Sequence, residues 1–154
     1  VMLEEIPSLV LHAVEEVPWT ALEIGRDTME SSSGGAVPFR LMAPRVLAGR
    51  PYLLLASASG TEPGLQLDGL TLPLNPDELT TLSAELAGQR PFVATRGILN
   101  AKGEAAATIH LRPRQLKGLA GHDISFAFLV DNPPTFVSDP VSLRIIRAEP
   151  AEPH

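Results

Sequence analysis

Residues 52–59 read YLLLASAS. Five apolar residues in succession, without polar alternation, are a strand's length and predict a strand covered on both faces. AGRP (Ala48–Pro51) is the turn that enters it. Upstream, Val37, Phe39 and Leu41 alternate with Pro38 and Arg40, the period-2 pattern of a half-buried strand. Pro38 predicts an edge position there, because proline offers the ladder no N–H. Downstream, LQLDGLTLPL (65–74) carries leucine at 65, 67, 70, 72 and 74, with a turn at Asp68-Gly69.

Asn75-Pro76-Asp77-Glu78 then reads as a helix start: an Asn cap, Pro in the first turn and two acids at the positive end of the dipole. One short helix is expected near 76–87, with Leu79, Leu82 and Leu86 on its inner face and Gly88 ending it. PFVATRGILN (91–100), a turn at Asn100–Gly103 and the return Glu104–Leu111 predict a hairpin. Residues 112–121 read as a loop. Ile124, Phe126, Phe128 and Val130 alternate with Asp123, Ser125, Ala127 and Leu129, and Val141, Leu143 and Ile145 close the series. Turn signals every ~8–12 residues predict an all-β fold, an antiparallel β-sandwich of about 6–8 strands.

Charge divides the 154 residues unevenly. Net charge is −6, and residues 1–30 hold seven acids against Arg26, which accounts for all of it. SSSGG (31–35) coincides with that boundary. The expected organisation is an acidic segment or arm over 1–30, a Ser/Gly linker over 31–35, a sandwich over 36–147 and a disordered tail over 148–154. Within the arm, Leu9–Val14 and Thr20–Ile24 fit strands, and Pro7-Ser8 also fits the opening of a short helix.

Several functions are excluded or disfavoured by composition. The absence of cysteine rules out disulfides, thiolate metal sites and cysteine nucleophiles. No apolar run exceeds five residues, against the ~18–20 needed to span a bilayer, so no membrane partner is expected. Bases are spread along the chain and balance the acids after residue 30, which argues against nucleic acid. The opening VMLEEIPS carries acids where an export signal carries bases.

Candidate chemistry is sparse. Ser57 and Ser59, with His122 and Asp123 as imagined partners, are the candidates for a small serine hydrolase. ASASG, however, lacks the first glycine of a nucleophile elbow. His12, His110, His122 and His154 show no ligand spacing. No cofactor is expected, and calcium is the one candidate ion. Its oxygen donors would be Asp68, Asp77 and Asp131, with Asn75, Asn132 and Asp139 also in loops, although no D-x-D-x-D-G series occurs. Glu4-Glu5 and Glu15-Glu16 are adjacent pairs whose side chains diverge, unlike an acid/base pair. Trp19, Leu22 and Ile24 are the candidate partner-binding residues. Through them the acidic segment would add a strand to a sheet edge, its own or a neighbour's.

The order of landmarks resembles a β-sandwich domain found at the C-terminal end of secreted planctomycete and myxobacterial proteins. The matching pieces are PYLLL with SGT after it (51–61), LNPD (74–77), GILNAKG (97–103), ISFAFL (124–129) and SDPV (138–141). The resemblance covers roughly residues 36–147. It implies a secreted, extracellular accessory or interaction module without catalytic residues. The expected function is therefore non-catalytic, by protein contact or self-association through the acidic segment, with calcium-dependent ligand binding or serine hydrolysis as the alternatives.

Overall fold

The computed structural model describes residues 20–67 and 69–147. Twelve short strands lie within them: β1 (Leu22–Ile24), β2 (Thr28–Glu30), β3 (Gly35–Met42), β4 (Pro51–Ser57), β5 (Leu65–Leu67), β6 (Leu70–Leu72), β7 (Phe92–Val93), β8 (Arg96–Ile98), β9 (Glu104–Leu111), β10 (Asp123–Val130), β11 (Phe136–Val137) and β12 (Val141–Ile146). The number exceeds expectation because seven of them have only two or three residues, too short to show a period in sequence. Two α-helices interrupt them, α1 (Glu78–Glu85) and a single turn, α2 (Pro113–Leu116), within the stretch expected to be loop, besides one 3-10 turn at Arg45–Leu47.

The fold is an all-β sandwich. One sheet has the order β1-β3-β9-β7; the other has β2-β12-β10-β4-β8, with β11 also on β10. All pairings are antiparallel except β2 with β12, which is parallel. Alternate residues of β3 and β9 (Val37, Phe39, Leu41; Ala107, Ile109, Leu111) meet Leu54 and Ala56 of β4 and Ile124, Phe126, Phe128 and Val130 of β10. The rings of Phe39 and Phe126 touch across the layers, with centroids 4.8 Å apart. All five Phe and the one Tyr are buried, so the few aromatics of the chain are spent on the core.

The outer face of the larger sheet is covered as well. Leu55, Ala127 and Leu129 pack under Leu72 and Leu74 from the β5–β6 hairpin, with Val137 and Ala84 at the rim. This second, smaller core explains the unbroken apolar run of YLLLA: β4 and β10 are buried on both sides.

Four local expectations are corrected. Pro38 is not on an edge, because β3 lies between β1 and β9. Its carbonyl accepts from Gly25 N–H (2.8 Å), just where β1 has ended, so the missing Pro38 N–H faces a place where no ladder bond is needed. Residues 91–111 form only part of the expected hairpin: Phe92 and Val93 pair antiparallel with Ile109 and Thr108, but the stretch nearer the turn leaves for the other sheet. The turn is present, with Asn100 N–H donating to Glu104 C=O (2.9 Å), but β8 pairs with β4 and β9 with β3 and β7, in opposite sheets. The helix starts two residues later than expected: Asp77, not Asn75, is its cap. It turns Thr80 and Ser83 inward and leaves Leu82 exposed, while Leu79 and Leu86 pack at the margin of the core.

The fourth concerns the charge boundary. Residues 31–35 are no linker: they form a tight turn bonded to both sheets, with Ser31 N–H donating to Ile146 C=O (2.8 Å). Gly34 (φ 62°) is pressed against the end of β9, where a Cβ would lie 2.3 Å from Leu111 O. Residues 22–30, on the acidic side of that boundary, supply β1 and β2, and Leu22 and Met29 are core residues. Residues 1–19, including the expected strand at Leu9–Val14, and the tail over 148–154 lie outside the described residues.

Candidate functional site

The densest set of polar side chains lies where β4 ends. Ser57 is fully buried; its hydroxyl donates to Asn75 C=O (2.6 Å) and lies 3.2 Å from Ser59 Oγ. Asp77 Oδ2 accepts from Ala58 N–H (2.9 Å) and Ser59 Oγ (2.9 Å) and lies 3.3 Å from Ser57 Oγ, whose proton goes to Asn75. Its Oδ1 accepts from Thr80 N–H (2.9 Å) and Thr80 Oγ1 (3.0 Å), closing a capping box at the start of α1. Asn75 stitches the neighbouring loop: Nδ2 donates to Ser59 C=O and Glu62 C=O, and Oδ1 accepts from Gly64 N–H.

Burial alone would raise the Asp77 carboxyl. The donors from Thr80, Ser59 and Ala58 outweigh it and hold the group below its ordinary value. No histidine is among the hydrogen-bond partners of Ser57 or Ser59, and His110 lies on β9, in the opposite sheet. The cluster ties the end of β4, the 59–64 loop and the helix cap together.

The calcium candidates do not converge. Asp77 is at one end of β4, and Asp131 donates its N–H to Pro51 C=O (2.8 Å) at the other. Seven strand residues separate them, about 20 Å at ~3.3 Å per residue. Asp131 Oδ1 accepts from Asn132 N–H (2.7 Å), a local turn bond. Asp68 is outside the described residues, within which no group of three or more His, Asp or Glu is placed to hold a metal ion.

Of the partner candidates, Trp19 lies outside the described residues. Leu22 is buried in the core, and Ile24 packs half-buried against it. Both belong to β1, which adds a strand to β3 of the same chain, with Leu22 opposite Leu41 and Ile24 opposite Phe39.

One feature was missed from sequence. Three adjoining depressions run across one end of the sandwich, and their walls include Arg90, Arg112, Arg114, Lys117 and Arg147 but no acid. The largest, about 490 Å³, lies between Ser31, Arg114, Lys117 and Arg147. These five cations are exposed and make no ion pair among the described residues, whereas Arg144, also in the wall of the third depression, is paired with Asp123. The RPRQLK run (112–117) was the available signal. Arg90 and Arg147 join it only because the topology brings the start of β7 and the end of β12 to the same pole. No protein-family model matches this chain, and no curated protein matches its sequence.

Proposed function

We propose that the chain is a non-catalytic β-sandwich module that acts by surface contact with a protein partner, including a copy of itself. The observation that carries this reading is the use made of the polar groups nearest to chemistry. Ser57, Ser59, Asn75 and Asp77 direct their donors and acceptors at the backbone and at one another, as structural ties do. A secreted, extracellular setting in a bacterial protein is supported by the resemblance of residues 36–147 to a secreted accessory domain. A fluorophosphonate probe tests the non-catalytic reading. The expected result is no covalent labelling, with Ser57→Ala lowering the melting temperature through the lost bond to Asn75. Labelling that disappears in Ser57→Ala or Ser59→Ala would overturn it.

A further inference from the structure

The basic depressions and the point where the acidic segment enters the fold lie at opposite poles of the same sheet. Ala21 C=O accepts from Met42 N–H (2.7 Å), so Thr20 sits at the Met42 end of β3. The depressions begin at its other end, beside Gly35 and Ala36. Seven strand steps between Gly35 and Met42 amount to about 24 Å at ~3.4 Å each.

We propose that the basic pole receives the acidic segment preceding Thr20 of a second copy of the chain, so that copies join head to tail. This inference rests on the interaction role proposed above and names its partner. Charge supplies the complementarity: residues 1–19 contain Glu4, Glu5, Glu15 and Glu16 and no Lys or Arg, whereas all 12 Lys and Arg fall between residues 20 and 147. Geometry supplies the choice of copy. To reach its own depression, the segment would double back along the full length of β3. Two copies stacked end to end place the Thr20 pole of one against the basic pole of the next. Arg112, Arg114, Arg147 and Arg90 suit carboxylates through the planar guanidinium fork, with Lys117 as a point charge. Such a contact joins two different surfaces, so it closes into a ring or grows as a filament.

Sedimentation velocity on the full chain tests it, at about 10 mM salt, where the Debye length is ~30 Å, and at about 1 M, where it is ~3 Å. The wild-type chain is expected to associate in the first and disperse in the second. Arg112→Gln/Arg114→Gln/Lys117→Gln, and separately Glu4→Gln/Glu5→Gln/Glu15→Gln/Glu16→Gln, should each weaken association about tenfold, as for losing three or four exposed ion pairs. Reversing both sets together, the four Glu to Lys and Arg112, Arg114 and Lys117 to Glu, should restore it. Unchanged melting temperatures show that the variants still fold.

A chain that stays monomeric in low salt overturns the proposal, as does association indifferent to both substituted sets. So does retention of a monomer on a sulfated polysaccharide through Arg112, Arg114 and Lys117, which would assign the pole to a polyanion. A monomer that the serine probe leaves unlabelled overturns the head-to-tail contact alone and leaves the module reading standing.

Discussion

Asp77 gathers donors from Ala58, Ser59 and Thr80 around one carboxylate, and two measurable consequences follow from its charge. Removing the side chain leaves Ala58 N–H and Thr80 N–H without their acceptor. Asp77→Ala should therefore cost about 1–3 kcal/mol, read as a lowered urea midpoint at constant slope. The pH dependence has a definite sign. A carboxyl held below its unfolded value contributes stability above about pH 4, and that contribution is lost as pH falls through the folded-state value. Asp77→Asn should flatten this acid limb in melts taken as a function of pH. Tyr52 works in the other direction. Its hydroxyl donates to Ala94 C=O (2.7 Å), and burial raises its pKa. Its share of stability is complete below about pH 10 and is lost as pH rises through the higher folded-state value. Tyr52→Phe should cost about 1 kcal/mol at neutral pH and make the alkaline limb shallower.

At the scale of an element, α1 stands in for a strand. β8 is too short to follow β4 to its end. Of the successive N–H groups on that side of β4, Leu54 donates to Thr95 C=O, Ala56 to Ser83 Oγ and Ala58 to the Asp77 carboxylate. A helix cannot offer a ladder of carbonyls sideways, so it covers the edge with polar side chains. This is why Thr80 and Ser83 face inward and Leu82 does not. The leucine spacing was the visible signal; it placed Leu79 and Leu86 correctly against the core margin and failed at Leu82, and it gave no hint of the inward Thr80 and Ser83. The box Asp77-x-x-Thr80 was also legible, but Asn75-Pro76 imitates a cap, and only the loop bonds of Asn75 show its other use. The consequence is an inverted pair of truncations. Ser83→Ala, which orphans Ala56 N–H in a buried site, should cost about 1–3 kcal/mol. Leu82→Ala should stay within about 0.5 kcal/mol. Chemical denaturation of the two variants side by side decides between the faces.

Across the whole molecule, the chain changes sheets at both sides of the sandwich. On one side β1 belongs to the smaller sheet and β2 to the larger; on the other, β7 belongs to the smaller and β8 to the larger. These crossings join the layers at their margins, as strands do at the corners of packed sheets. Gly25 turns the first one so close to β3 that a Cβ would lie 2.4 Å from Pro38 Cγ. Period-2 alternation in β3, β9 and β10 made the two-layer core legible, because long strands repeat their signal. The crossings were not legible, because strands of two or three residues repeat nothing, and net charge drew a boundary just after β2 that set both β1 and β2 outside the sandwich. Charge marks the surface, whereas membership of the fold is set by burial, and Leu22 and Met29 are each 1 % exposed. Two truncations separate these descriptions. A chain lacking residues 1–30 should be about 3–6 kcal/mol less stable than one lacking residues 1–19, at ~1.5–3 kcal/mol for each of the two buried side chains. On the scale of the ~5–15 kcal/mol that holds a domain together, that difference is a large share and should appear as a clearly lower urea midpoint for the shorter chain. Coincident midpoints for the two would return residues 20–30 to the arm and place the edge of the module at the SSSGG turn.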